Sequence, residues 1–143
     1  MHHPIQTLLK RAPIMLAALW WGGLTLLCAV VVPLLFVHLP TSAMAGQMAA
    51  KLFTVQTWIS TLCGLLLLML SRRSQGEPAW AARFAVGWII AGTLFALLLE
   101  FAVTPRILAR QNMALWHGLG VGLYLLQWLC AGVTLWRASD SNE

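Results

Sequence analysis

The stretch IMLAALWWGGLTLLCAVVVPLLFV, residues 14–37, decides the fold. It contains no charged residue. A helix of this length crosses the ~30 Å hydrocarbon core of a bilayer. Three further apolar runs follow, from Leu52 to Leu70, from Phe84 to Val103 and from Leu115 to Trp136. Extended chain at that depth would leave backbone groups unpaired in lipid, so each run reads as a helix. The expected fold is all-α, an integral membrane four-helix bundle. No Gly/Ser linker or charge run divides the 143 residues into two domains.

Composition agrees. Hydrophobic residues make up 60% of the chain, charged residues 9%, and mean hydropathy is +0.80. A soluble domain is typically ~25% charged, so this chain lacks the shell that a water-soluble globule needs. A soluble enzyme, a disordered chain and a nucleic-acid module are excluded on that ground. The solvent, and the first partner, is the lipid bilayer. The net charge of +5 is then a matter of topology and anionic headgroups rather than of nucleic acid.

The basic residues lie where the apolar runs stop. Lys10, Arg11, Arg72, Arg73, Arg83 and Arg137 fall on one side of the membrane, Lys51, Arg106 and Arg110 on the other. The positive-inside rule therefore places both termini in the cytoplasm, with the inner (plasma) membrane as the expected location. Trp80, Trp116 and Trp136 stand at span ends, as an interfacial aromatic belt requires. Lys10-Arg11, the first apolar run and Ala43-Met44-Ala45 have the outline of a signal peptide. The run is about twice the usual apolar length, however, and contains Trp20-Trp21, so it reads as a retained span.

Three cysteines, Cys28, Cys63 and Cys130, all fall within spans. Their odd number and placement point away from a disulfide framework or a CxxC metal motif and towards small apolar packing residues. Pro33 falls inside the first run and is expected to kink it, freeing the carbonyl of Ala29.

Function is best sought where polar residues interrupt the spans. At helical spacing they form a stripe of Gln47, Lys51, Thr54, Trp58 and Thr61 on span two. Span three carries Thr93, Ala96, Glu100 and Thr104. Span four carries the longest stripe: His117, Gly120, Tyr124, Gln127, Ala131 and Thr134. Such stripes should face the bundle interior. Tyr124 and Gln127 in particular are expected to be buried. Small and weakly polar residues at this spacing also serve to pack membrane helices and hydrogen-bond them together. The Gly118-x-x-x-Gly122 and Gly22-Gly23 pieces read as packing surfaces in the same way. Glu100 stands apart as the one acidic residue within any span, near the outer boundary, where an ionised carboxylate needs a partner or water. With His117, Lys51 and Arg106 it would form a small outward-facing polar pocket, continued inward by Tyr124 and Gln127. The partners expected for its carboxylate are His117, then Lys51, then Arg106. The competing reading is a structural ion pair that pins spans two, three and four.

A second set of side chains suits a soft metal. His38, Met44, Met48, Met113 and His117 fall at or beyond the outer interface, and thioether and imidazole ligands fit copper(I). No two of them form a tight motif, and interfacial methionine is commonly apolar filling. No cofactor is therefore expected, with copper or haem kept as the alternative. Nothing in the chain sets up catalysis: there is no nucleophile–base pair, no paired carboxylates and no phosphate loop.

Trp21-Gly22-Gly23, Val32-Pro33 with Phe36, Ala45-Gly46 leading to Phe53, Thr104-Pro105-Arg106 and His117-Gly118 occur in a familiar order. The pattern resembles the bacterial members of the transmembrane-protein-205-like family, domain-of-unknown-function family 4149, across nearly the whole chain. The resemblance implies a four-helix integral membrane protein without an established biochemical activity, whose animal relatives are associated with resistance to platinum drugs. The Trp-Gly-Gly start is also similar to the copper-resistance D family and to the HemJ protoporphyrinogen oxidases, membrane bundles that handle copper or haem. The paired His and Lys of the HemJ pattern are not evident here. The expected role is thus a multi-pass membrane protein that binds or moves a small molecule or ion. The alternative is a structural or assembly subunit, and a homo-oligomer is compatible with both.

Overall fold

The structure, a computed structural model, describes the backbone of residues 3–71 and 79–140 and the side chains of residues 11–71 and 85–140. Four helices are long and apolar enough to cross a membrane: span one, Arg11–His38; span two, Ser42–Leu70; span three, Ala85–Leu108; and span four, Met113–Asp140. The helical backbone of span one begins at His3 and that of span three at Ala79. The protein is an all-α four-helix membrane bundle. Span one packs on spans two and four, and span three does the same, so the helices stand in a ring in chain order.

The outward faces are apolar. Leu65, Leu94, Leu125 and Met69 are exposed, as lipid-facing side chains should be. The interior is narrow and built largely from small residues. Ala17, Ala45, Ala96 and Ala131 are buried, and they let the backbones approach closely. Among the described residues, Trp20 is the one large aromatic ring that is fully enclosed, at 0% exposure. It fits because span three carries Gly92 opposite: a Cβ there would lie 2.8 Å from Trp20 Cη2 and 2.9 Å from Cys130 Cβ.

Span two starts ten residues before the apolar run that marks it in the sequence. Thr41, in extended conformation, caps it, its hydroxyl accepting from Met44 N at 3.2 Å. Residues 42–51 (SAMAGQMAAK) are too polar to read as membrane core, but Ala, Met, Gln and Lys are good helix formers. The face that span two turns inward also differs from the expected stripe. Gln56, Thr57, Ser60, Cys63 and Gly64 are buried, whereas Gln47, Lys51 and Trp58 are exposed and Thr54 and Thr61 only partly covered. A lysine is too costly in such an interior.

The prolines are absorbed rather than left as breaks. Leu27–Val31 and Leu99–Val103 are wider π-helical turns, closed by Val32 N–H to Leu27 O and Thr104 N–H to Leu99 O. Each turn ends just before a proline, Pro33 or Pro105. A proline ring collides with the carbonyl four residues back in a regular helix. Widening the turn moves that carbonyl aside, so α-helical turns resume directly after it, at Val32 and Thr104. Spans three and four are joined by Ala109–Asn112, where Arg110 (φ 53°) and Asn112 (φ 34°) take left-handed conformations.

Candidate functional site

Among the described residues, polar side chains of the interior meet across helices in two places. The outer one is Glu100 with Thr54. Glu100 lies in the π-helical turn of span three and is partly buried. Thr54 of span two donates its hydroxyl to Glu100 Oε1 at 2.8 Å, and the same hydroxyl lies 3.2 Å from Ala50 O. Among the described residues, no ion pair joins Glu100 to His117, Lys51 or Arg106, and the expected pairing is corrected accordingly. All three basic side chains are exposed. Arg106 instead lays its guanidinium over the Trp116 ring, 4.5 Å from the centroid, and donates to Ala102 O. A neutral hydroxyl has replaced the cation because a threonine can reach the carboxylate without bringing a second charge into the bundle.

The inner group lies across the bundle centre. Gln127 of span four is 2% exposed, and its Nε2 donates to Ser60 Oγ of span two at 3.0 Å. Gln56 Nε2 approaches the same hydroxyl at 3.4 Å. The Gln56 amide lies flat against span one, where a Cβ on Gly23 would meet its Nε2 and Oε1 at 3.1 Å. Tyr124 is buried as expected from its stripe. Its hydroxyl donates to Leu24 O at 2.7 Å, and its ring meets Phe53 edge-on at 5.4 Å between centroids. Beside it, Trp128 Nε1 donates to Thr25 Oγ1 at 2.8 Å, and Thr25 in turn donates to Trp21 O. A polar side chain at this depth has no water to fall back on, and the bonds of Gln127, Tyr124 and Trp128 each tie span four to another span.

Of the expected pocket, then, Tyr124 and Gln127 are interior, Glu100 is at the seam of spans two and three, and His117, Lys51 and Arg106 remain on the outer surface. Ser60, Gln56 and Thr57 escaped the sequence reading, although Gln56 and Ser60 stand at helical spacing on one face of span two. His38, Met44, Met48, Met113 and His117 are all exposed, and His38 Nδ1 lies 3.0 Å from Leu34 O. Among the described residues, no three His, Cys, Asp or Glu side chains gather where they could hold a metal ion. The three cysteines are free, Cys28 facing outward and Cys63 and Cys130 buried. Lys10, Arg72, Arg73, Arg83 and Trp80, on which the topology partly rests, lie outside the residues whose side chains are described.

Neither the curated proteins nor the solved structures contain a match. The family model of a domain of unknown function, DUF4149, matches residues 15–115, which include all of Glu100, Thr54, Gln56 and Ser60. That match covers more than half of the chain, and the protein belongs to the DUF4149 family.

Proposed function

We propose that this multi-pass membrane protein binds or moves a small molecule or ion by way of the polar groups inside its bundle. The observation that carries this reading is the run of polar side chains along one face of span two. Thr54, Thr57 and Ser60 follow one another at three-residue spacing, Thr54 holding Glu100 and Ser60 receiving Gln127. Glu100 supplies an outward mouth and the Gln56–Ser60–Gln127 group an interior end. An intramembrane carboxylate with a single hydroxyl partner is a costly feature for packing alone, and it is the default mark of a solute pathway. In this proposal the role is non-enzymatic and needs no cofactor. The protein lies in the inner membrane with both termini in the cytoplasm, and Glu100 opens to the outside.

A second reading, a structural or assembly subunit, is favoured by how Tyr124, Gln127 and Trp128 tie span four to spans one and two. Reconstitution separates the two. Purified protein in liposomes should raise the flux of at least one of glycerol, urea, K⁺ and protons above that of protein-free liposomes. Flux at the protein-free level for all four would leave the structural reading standing.

A further inference from the structure

The two halves of the chain repeat each other. The π-helical turns Leu27–Val31 and Leu99–Val103 stand 72 residues apart at both ends, and so do Pro33 and Pro105. Spans two and four begin at Ser42 and Met113, 71 residues apart. The same offset of 71 relates Phe53 to Tyr124 and Gln56 to Gln127.

These equivalent residues also meet. Phe53 and Tyr124 are in edge-to-face contact at 5.4 Å. Gln56 and Gln127 both direct Nε2 at the Ser60 hydroxyl, at 3.4 and 3.0 Å. Trp20 occupies the space that a Cβ on its equivalent, Gly92, would need. A residue touches its own symmetry mate only at a twofold axis. Spans one and three cross in the same direction, so this axis runs along the membrane normal, through the centre of the ring. Membrane transporters built from such repeats place their solute at the repeat interface near mid-bilayer.

We infer that the chain is an internal duplication of one helix hairpin, and that Gln56, Ser60 and Gln127 on its pseudo-twofold axis bind an uncharged, oxygen-bearing solute of the alcohol or urea class. This rests on the solute-handling reading above and names its site and ligand chemistry. The axis offers both donors and acceptors, since each glutamine amide carries a carbonyl Oε1 beside its Nε2. Both amides converge on one hydroxyl, whose two lone pairs they occupy. The equivalent of Ser60 is Ala131, buried and without a polar atom to share the load. A neutral solute that both donates and accepts, as alcohols and urea do, matches these groups. An ion does not, because Thr54, which holds the Glu100 carboxylate, lies six residues, ~9 Å along span two, from Ser60, and a bare charge in so apolar a layer is unfavourable.

The test is flux in proteoliposomes, with glycerol and urea as neutral probes and K⁺ and protons as charged ones. Glycerol or urea should cross faster than through protein-free liposomes, without K⁺ or proton flux. Gln56→Leu and Gln127→Leu should each lower that flux about tenfold, the scale of one lost hydrogen bond to a bound solute. Ser60→Ala, which removes the shared hydroxyl with little change in volume, should lower it similarly and serves if either glutamine variant fails to fold. Neutral flux indifferent to Ser60 and to both glutamines would overturn the axis site and leave the solute-handling reading intact. Flux of K⁺ or protons alone would overturn the ligand class only. Absence of any flux would overturn both.

Discussion

Gln127 reaches across the diagonal of the bundle to Ser60, its amide nitrogen 3.0 Å from the serine oxygen. The two residues belong to spans that do not pack side by side along the ring, so the bond passes through the centre. Only small neighbours permit this. Ala131 of span four and Ala96 of span three are buried, and Gly23 makes room for Gln56, the second amide on the same hydroxyl.

The closeness of the spans gives the first prediction. Gly92→Ala places a methyl 2.8 Å from the Trp20 ring and 2.9 Å from Cys130 Cβ, in a site with no slack. Overpacking of this kind costs about 1–3 kcal/mol. Thermal unfolding in detergent should show a lowered midpoint for Gly92→Ala. Gly118→Ala should match the parent, since a Cβ there meets nothing within 4 Å.

Tyr124→Phe removes the hydroxyl that Leu24 O accepts and leaves the contact with Phe53 in place. Interhelical hydrogen bonds in membranes are worth about 0.6 kcal/mol on average and up to about 1.7. A buried carbonyl loses its side-chain partner here, so the upper part of that range applies. A fall in unfolding midpoint is expected, with helicity by circular dichroism unchanged. An unaltered midpoint would mean that the hydroxyl does not hold spans one and four together.

Glu100→Gln should leave stability nearly untouched, because its side-chain carbonyl can still accept from Thr54. Thr54→Val should do more harm, since it strips the carboxylate of its donor and costs about 1–3 kcal/mol. The reverse ranking in an unfolding assay would point to an ionic partner for Glu100 that the present geometry does not contain.

Topology follows from the basic residues. Six of them bracket the side assigned to the cytoplasm against three on the other. A reporter fused after Glu143 that works only in the cytoplasm should be active, and one that works only outside should be silent. The opposite pattern would invert the bundle and turn Glu100 inward.

The sequence revealed the spans because long apolar runs have few other uses. It revealed the buried face of span four because Tyr124, Gln127 and Thr134 stand out against leucines. It was misleading on span two. There the polar Gln47 and Lys51 drew the stripe to the wrong side, whereas burial followed side-chain size and selected Ser60, Cys63 and Gly64. Glu100 was sought beside cations, and its nearer partner was a threonine that a charge-based reading passes over. Pro33 and Pro105 were visible as breaks in pattern, but a single proline does not say whether a helix bends or widens. The duplication leaves only a few equivalent positions in the chain, Val32-Pro33 with Thr104-Pro105 and the Phe53/Gln56 and Tyr124/Gln127 pairs. It emerged once those residues were seen to touch.

The central claim is that the polar centre of the bundle serves a solute and not merely the fold. Gln127→Leu, measured for unfolding midpoint and for proteoliposome flux on one preparation, tests it most directly. Leucine fills nearly the same space, and one interhelical hydrogen bond is worth only about 0.6 kcal/mol. The midpoint should therefore stay within a few degrees of the parent, while flux falls about tenfold. A large drop in midpoint with flux per folded protein unchanged would contradict the claim and make Gln127 a packing residue.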